Sequence, residues 1–270
     1  MPRPRVVFLG TGGALNPERY QAAVLVESAG TRVLLDTGGG LGLVRRLLAA
    51  EVDPASIGHV FLSHRHLDHI GGLEPLLLTM WLNLVRAAAA PPAVRLYALP
   101  GSAAAIRAAL AAADAVGEPR LAGRLSWVTP PDAGARVRLD GDVGLTLPAV
   151  DHLPAGGEAA GCVVDADGMR IAYSGDTRPC DALADAARDA HLLIHEVGGL
   201  ETHARVVHEV GHSTAADAGR IAVRAGVRAL ALFHMPAPEW VSPADLLAEA
   251  RRHAPGVEVF LSEDGMVWTV

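Results

Sequence analysis

The feature that most constrains this chain is a run of metal-competent side chains, His64-Arg-His66-Leu-Asp68-His69, which follows a strand-like apolar segment at residues 59–63. Imidazole and carboxylate groups suit zinc and similar divalent ions. A short loop at a strand end can turn alternate side chains toward one point. We therefore expect His64 and His66 to reach one ion and Asp68 and His69 to reach a neighbouring ion. A solvated polar turn is the alternative, but the order and spacing of the four side chains favour metal binding.

Around this run, strand patterns alternate with helical ones. In the first half, β-rich segments are predicted at residues 6–9, 22–27, 32–36, 59–63 and 95–99, and the second and third form a hairpin. Helical spacing is found at 41–50, 73–85 and 102–115. From residue 125 the pattern is β-rich again, and helices at 181–190, 214–225 and 243–253 then alternate with strands at 192–195 and 227–233. A terminal pair of strands, 257–262 and 266–270, is predicted around a turn at 263–265.

Each half thus contains a β meander followed by strand and helix alternation. The pattern predicts an α/β fold, an αββα sandwich of two mixed β-sheets with helices on the outer faces. Residues 87–92 and 117–119 have a linker-like composition, but each segment is short and is followed by ordinary periodic sequence. We therefore predict a single domain over residues 1–270.

The composition excludes several classes of function. All 23 basic residues are Arg, so mechanisms that need a Lys are ruled out. The formal charge of −7 and the lack of long basic runs argue against a long nucleic-acid partner. Two cysteines, Cys162 and Cys180, are too few for a disulfide framework or a structural zinc site of their own. Because the apolar stretches are broken early and no signal peptide is evident, we expect a cytoplasmic protein without a membrane span.

The His-x-His-x-Asp-His run resembles the signature of the metallo-β-lactamase superfamily of hydrolases. This resemblance implies further metal ligands at later strand ends. By it, His152 is the third His of the first metal, Asp176 is the carboxylate that bridges both metals, and His234 is the last ligand of the second metal. Asp36, which follows an apolar strand, resembles the buried aspartate that supports the ligand loop.

The resemblance therefore implies two divalent ions and seven ligands. They are His64, His66 and His152 on one ion, Asp68, His69 and His234 on the other, and Asp176 between them. Zinc is the expected metal, with manganese or iron as alternatives. An iron oxidoreductase of the flavodiiron type is the competing class, but that branch places a carboxylate where this chain has His66. A catalytically inactive binding module would require ligand losses that the sequence does not show.

Three further motifs resemble ribonuclease Z and its relatives: Phe8-Leu-Gly-Thr-Gly-Gly13, Leu193-Ile-His-Glu196 and Gly211-His-Ser-Thr214. The resemblance implies that His212 acts at the scissile phosphate and that Glu196 orients its ring. His212 also lies near a predicted helix start, where free backbone N–H groups favour an anion. His203 and His208 lie between the last two motifs, and we expect them to be solvated loop residues.

These motifs predict a dinuclear metal-dependent hydrolase with a metal-bridging hydroxide as nucleophile. Asp68 is expected on the attacking side, and His212, held by Glu196, on the leaving side. The chain departs from ribonuclease Z proper because the interval from His152 to Asp176 is too short for a long Gly/Pro-rich tRNA arm.

The missing arm and the acidic charge favour a phosphodiesterase that acts on a small or cyclic phosphodiester. We therefore expect a small-molecule substrate and no long nucleic acid. Ribonuclease Z relatives with such short intervals can use a partner chain to complete the site, so the resemblance also implies a homodimer. An arylsulfatase or a lactone or ester hydrolase is the alternative, and a ribonuclease Z-type tRNA 3′ endonuclease is the third possibility. Trp81, Trp240 and Leu153 are candidates to line the substrate pocket.

Overall fold

Two seven-stranded mixed sheets pack face to face, and helices cover their outer faces. The computed structural model describes residues 4–269 except 29, 87–92, 114–120, 122, 131, 140 and 155–156. The predicted αββα sandwich is confirmed. The two linker-like segments lie outside the described residues.

The first sheet is built mainly from the N-terminal half of the chain. Its strands are β1 (Arg5–Gly10), β2 (Ala23–Ser28), β3 (Thr31–Leu35), β4 (His59–Phe61), β5 (Val94–Tyr97), β6 (Leu125–Val128) and, from the far end of the chain, β16 (Val267–Thr269). They lie in the order β16-β1-β2-β3-β4-β5-β6. The predicted hairpin is β2 and β3, which are antiparallel with Val24 opposite Leu35. From β3 to β6 the strands are parallel.

The second sheet follows the same plan. Its strands are β7 (Arg136–Arg138), β8 (Gly144–Thr146), β11 (Cys162–Ala166), β12 (Met169–Tyr173), β13 (Leu192–Glu196), β14 (Ala229–Phe233) and β15 (Glu258–Leu261). They lie in the order β15-β14-β13-β12-β11-β8-β7, and β12 to β15 are parallel. A separate antiparallel pair joins β9 (Ala149–Val150) to β10 (Ala159–Ala160).

Helices flank each sheet on the side away from the other sheet. They are α1 (Gly42–Ala49), α2 (Leu67–Ile70), α3 (Leu73–Arg86), α4 (Pro100–Ala112), α5 (Asp181–Ala186), α6 (Ala204–Glu209), α7 (Ala215–Ala225) and α8 (Pro243–His253), with short 3-10 turns at Pro54–Ser56 and Glu201–His203. In α7, a reciprocal cap between Thr214 and Asp217 fixes the start, and Gly226 with φ 66° ends the helix. None of the helices among the described residues is long and apolar enough to cross a bilayer.

Both faces of the central strands are buried, which explains their nearly continuous apolar sequence. In β1, Val6 and Phe8 face the opposite sheet, whereas Val7 and Leu9 face the covering helices. Successive side chains of a strand point to opposite faces, so a strand between two apolar layers needs apolar residues at every position. The sequence of such a strand therefore does not indicate which face packs against the other sheet and which packs against the helices.

The last two strands do not form the predicted pair. The structure places β15 beside β14 in the second sheet and β16 beside β1 in the first. Asp264, in the turn between them, accepts hydrogen bonds from Thr11 N, Thr11 Oγ1 and Tyr20 N. Because these contacts fasten the turn to the loop after β1, the chain crosses between the sheets there instead of folding back as a hairpin.

The carboxyl ends of five strands meet at one edge of the sandwich. There, β3 leads to Asp36 and β4 to His64, while β12, β13 and β14 lead to Asp176, Glu196 and His234. The fold thus collects at one edge residues that lie far apart in the sequence.

Candidate metal centre

The structure brings together all seven side chains that the superfamily resemblance assigned as ligands. They form two groups, His64, His66, His152 and Asp176 in one and Asp68, His69, Asp176 and His234 in the other. In each group the ligand atoms lie within 4.8 Å of one another, and Asp176 belongs to both. The grouping agrees with the sequence-based assignment, and the ligand roles themselves stay a prediction.

The loop after β4 presents its four polar side chains from a short, tightly folded segment. His66 has an extended backbone, and α2 begins at the next residue, which places Asp68 and His69 in a single helical turn. His66 Nδ1 lies 3.1 Å from His152 Nε2. His69 Nε2 lies 3.2 Å from Asp176 Oδ2 and 3.5 Å from Asp68 Oδ2. The change from extended to helical backbone therefore directs alternate side chains into two neighbouring groups.

Asp36 holds the loop after β4 in place through hydrogen bonds. The fully buried carboxylate accepts hydrogen bonds from Ser63 N at 2.7 Å, Ser63 Oγ at 2.6 Å and Tyr173 OH at 2.7 Å. Its Oδ2 also lies 2.8 Å from His69 Nδ1. When Nδ1–H of His69 donates to Asp36, the lone pair of Nε2 is directed to the cluster, which is the arrangement that a metal-binding histidine needs. The contribution of Tyr173, distant in the sequence, was not predicted.

Three buried atoms of the cluster have no hydrogen-bond partner: His64 Nε2, His69 Nε2 and Asp176 Oδ1. A buried polar atom without a partner is costly. Divalent cations within the two groups would satisfy all three atoms, and a set of imidazole nitrogens and carboxylate oxygens suits zinc. The residues therefore fit a pair of divalent ions.

Burial and neighbouring charges shift the pKa of most side chains in the cluster. Burial lowers the pKa of His64, His66 and His152, and neighbouring imidazoles lower it further for the first two. Burial alone would raise the pKa of Asp68, but the hydrogen bond from His234 and the nearby imidazole charges outweigh it and lower the value to about 2. The carboxylates of Asp176 and Asp36 outweigh burial at His69 and raise its pKa well above the usual value. A cation would therefore displace a proton from His69, whereas the lowered pKa of the other three histidines leaves their lone pairs free for a metal.

A His and Glu pair lies directly beside the cluster. Glu196 is fully buried, and its Oε1 accepts hydrogen bonds from Thr177 N at 2.9 Å, Ser213 N at 3.2 Å and His212 Nδ1 at 3.0 Å. Burial disfavours the protonated form of His212, but the charge and hydrogen bond of Glu196 outweigh burial and raise the pKa of His212 to about 9. The ring of His212 stacks on that of His234, with centroids 5.5 Å apart. The Glu196 carboxylate therefore favours the protonated form of His212, whose ring lies at the edge of the cluster.

Gly211 sets the distance between His152 and His212. Its carbonyl oxygen lies 2.8 Å from His152 Nδ1, which fixes the orientation of that imidazole. The residue has φ +92°, and a Cβ atom at this position would lie 2.5 Å from His152 O. A glycine is therefore required here both by the backbone conformation and by the close approach of the two loops.

Replacing Gly211 with Ala should lower the free energy of unfolding by about 3 kcal/mol, whereas the same change at Gly265 should cost about 1 kcal/mol. Gly265 has a similar φ of +86°, but a Cβ atom added there would have no atom within 4 Å. Urea unfolding of both variants measures the difference, and Gly211→Ala should also bind metal less tightly. Equal losses would contradict a role for the contact with His152.

His203 and His208 are not the solvated loop residues that were predicted. The segment between the two motifs forms a 3-10 turn and the helix α6. His208 Nε2 lies 2.8 Å from Asp217 Oδ2, and the ring of His203 lies 5.1 Å from that of Trp240. The prediction was wrong because each ring also has a partner outside the segment, on α7 for His208 and in the loop after β14 for His203.

Of the three candidate pocket residues, Trp240 is the one that lines a pocket with His212 and His234. Trp81 packs on α3 against the core between the first sheet and its helices. Leu153 is buried next to His152.

The chain is similar to known proteins both in sequence and in fold. The family described as the beta-lactamase superfamily domain matches residues 31–235. Ribonuclease Z of Haloferax volcanii is 30% identical over 308 residues, which cover 97% of this chain and 93% of the relative. Ribonuclease Z of Mycobacterium bovis is 31% identical over 243 residues, which cover 85% of each chain. The metallo-β-lactamase fold protein YhfI from Bacillus subtilis has a TM-score of 0.83 at 20% identity, over 99% of both chains.

These relatives contradict the prediction that the chain takes no long nucleic acid, because proteins named ribonuclease Z act on RNA. The Mycobacterium bovis alignment runs over 243 residues and covers 85% of this 270-residue chain, which leaves room for only short insertions in the aligned region. The Haloferax volcanii alignment runs over 308 residues, more than this chain contains, so that relative has insertions that this chain lacks. The net charge of −7 is a sum over the whole chain. Phosphate recognition depends instead on the charge at the site, to which bound divalent ions contribute most.

Proposed function

Because the chain belongs to the metallo-β-lactamase superfamily, on its ribonuclease Z-like branch, we propose that it hydrolyses phosphodiester bonds with two bound divalent ions, zinc first among them. The observation that carries this proposal is the position of His212, whose Nδ1 lies 3.0 Å from Glu196 Oε1 beside the seven-residue cluster. An unactivated phosphodiester has a poor leaving group that departs as an alkoxide unless it receives a proton. A positioned imidazolium is therefore the group that this reaction needs.

The cluster residues divide between holding metal and orienting the reactants. Two bound ions lower the pKa of water and offset the charge on the attacking and leaving oxygens. Asp68 is ionised and lies 3.3 Å from His234 Nε2, and its carboxylate orients the attacking water by accepting a hydrogen bond. As the water oxygen bonds to phosphorus, the water gives one proton to the Asp68 carboxylate. The bond from phosphorus to the leaving oxygen breaks, and His212 donates its Nε2 proton to that oxygen. Glu196 holds the opposite side of the ring through Nδ1.

RNA is the first substrate class to consider, since the curated relatives are named ribonuclease Z. A small or cyclic phosphodiester is the second candidate. It is favoured by the interval between His152 and Asp176, in which the strands β10, β11 and β12 follow one another closely. An arylsulfatase or an ester or lactone hydrolase would use the same metal cluster.

A substrate panel with defined metals tests the proposal. It contains precursor tRNA, a 2′,3′-cyclic nucleotide, bis-p-nitrophenyl phosphate, p-nitrophenyl sulfate and a p-nitrophenyl carboxylic ester, with Asp176→Ala as the inactive control. We expect hydrolysis of the phosphodiesters to be fastest, and the ratio between precursor tRNA and the cyclic nucleotide decides the substrate class. Preference for the sulfate or for the carboxylic ester would overturn the proposal.

A further inference from the structure

An apolar pocket of about 370 Å³ adjoins the cluster at His212 and His234. Its other side-chain walls are Ala14, Leu15, Pro236, Ala237 and Trp240. Within the described part of the chain, the two histidines are its only titratable lining groups. Apart from the two histidines, which belong to or adjoin the metal cluster, the walls of the pocket are therefore apolar.

The two walls of this pocket are fastened to each other. Asn16 Nδ2 donates hydrogen bonds to Met235 O at 3.1 Å and to Pro236 O at 2.9 Å. Gly13 N also donates to Met235 O at 2.9 Å. These bonds hold the loop that presents Leu15 against the segment that follows β14, so the pocket is formed before a ligand arrives.

Trp240 is held in place although it is not buried. Its Nε1–H donates to Gly198 O at 3.2 Å, and its ring lies 5.1 Å from that of His203. Yet Trp240 is 51% exposed and Leu15 is 88% exposed. An aromatic ring that is held in place and exposed to solvent can stack on a planar group of a ligand. Because the ring is already fixed, binding costs little side-chain entropy.

We propose that this pocket binds a planar aromatic group carried on the leaving oxygen of the substrate, with Trp240 as the stacking face. This inference rests on the proposed phosphodiesterase function. Since His212 serves the leaving oxygen and also lines the pocket, the substituent on that oxygen is the part of the substrate that lies there. Away from the two histidines the walls are apolar, which favours a nucleobase or an aryl ring over a charged group such as a second phosphate. Trp240 is therefore a residue that determines specificity on the leaving side.

Two methyl phosphodiesters test this inference by kinetics. One carries a phenyl leaving group and the other a fluorinated alkyl leaving group of matched acidity, so that the need for a proton is the same. Trp240→Ala should lower kcat/KM about tenfold for the phenyl diester, as expected for the loss of one stacking contact, and should leave the alkyl diester nearly unchanged. Trp240→Phe should retain most of the preference. Leu15→Ala should lower the preference for the phenyl diester, whereas Leu48→Ala, at a leucine on α1 that is 60% exposed and outside the pocket, should not.

Binding of uncleavable phosphonates gives a second measurement that does not depend on turnover. In these compounds a methylene group replaces the leaving oxygen and carries a phenyl ring, a nucleoside or an alkyl chain. Titration calorimetry on the metal-loaded protein should show that Trp240→Ala raises Kd about tenfold for both ring compounds and not for the alkyl compound. The ratio between the phenyl and nucleoside compounds distinguishes the two sources of the ring.

The two proposals fail in different ways. Hydrolysis of both diesters with equal losses, or no loss, in Trp240→Ala would overturn the pocket inference and leave the phosphodiesterase function intact. If the metal-loaded wild-type protein hydrolyses neither these two diesters nor any phosphodiester of the substrate panel, the proposed function is overturned and the pocket inference with it. If it hydrolyses phosphodiesters of the panel but neither of these two, and Trp240→Ala leaves the Kd of the ring phosphonates unchanged, the pocket inference alone is overturned.

Discussion

Protein purified without chelator should contain close to two divalent ions per chain, with zinc dominant, and His64→Ala or Asp176→Ala should lose both metal and turnover. The expectation follows from the buried ligand atoms without partners and from the sharing of Asp176 between the two groups. Removing Asp176 withdraws the carboxylate that both ions share, so both sites should be weakened together. Elemental analysis of the wild-type and variant proteins measures the change.

Metal removal should also lower stability, because binding to a site that exists only in the folded state contributes free energy to folding. Thermal unfolding with and without chelator should therefore show a lower Tm for the stripped protein. His253→Ala provides a matched control, since this histidine lies at the end of α8, outside the two groups. A stripped protein that keeps full turnover would rule out the assignment of these residues as catalytic metal ligands.

His212→Ala should retain both metal ions yet lose roughly 10²- to 10⁴-fold in turnover on a substrate with an alkyl or ribose leaving group, as expected for loss of a general acid. The loss should be much smaller for a p-nitrophenyl diester, because p-nitrophenolate departs without a proton. The comparison is informative because His212 also lies with Glu196 and His234 in a third group of potential ligands. Metal content and leaving-group dependence, measured together, separate the two roles.

Glu196→Gln should also retain both metal ions and lose turnover mainly on substrates with an alkyl or ribose leaving group, but by a smaller factor than His212→Ala. A glutamine can keep the acceptor position that Oε1 occupies toward Thr177 N and Ser213 N. It removes the negative charge that raises the pKa of His212, so the imidazolium should lose its proton at lower pH.

Equal losses of His212→Ala on good and poor leaving groups, with metal retained, would indicate charge stabilisation instead of proton donation. Loss of metal would identify His212 as a ligand.

The grouping of the histidines and aspartates could be predicted largely because its densest part is local in sequence. His64, His66, Asp68 and His69 lie within one loop, so their spacing alone limits where their side chains can point. The more distant residues, such as Asp176, were assigned by the superfamily resemblance and not by the periodicity of the sequence.

The supporting contacts could not be predicted in the same way. The hydrogen bond from Tyr173 to Asp36 joins two strands of different sheets, and no local pattern marks a tyrosine for that purpose. The close approach of Gly211 to His152 likewise depends on how two loops meet. Contacts of this kind are decided by the packing of the whole sandwich.

The terminal strands show the same limit at the level of the fold. The turn at residues 263–265 has the composition of a hairpin turn, and the flanking segments have strand patterns. What decides the outcome is the carboxylate of Asp264, whose partners Thr11 and Tyr20 lie at the other end of the sequence. Turn chemistry therefore predicted that the chain bends, but not which sheet it bends toward.

The place of β16 also has a consequence for how the protein is made. Arg5 pairs with Thr269 across the edge of the first sheet, so β1 lacks its outer neighbour until the ribosome has produced every strand of the second sheet. During that time β1 presents unpaired backbone groups, which are a template for pairing with other chains. Pairing over so large a sequence separation is also slow, because the chain loses the entropy of closing a long loop before any contact between the two strands forms. Completion of the first sheet is therefore a late step of folding, and nascent chains that are arrested before β16 emerges are the ones most prone to aggregate.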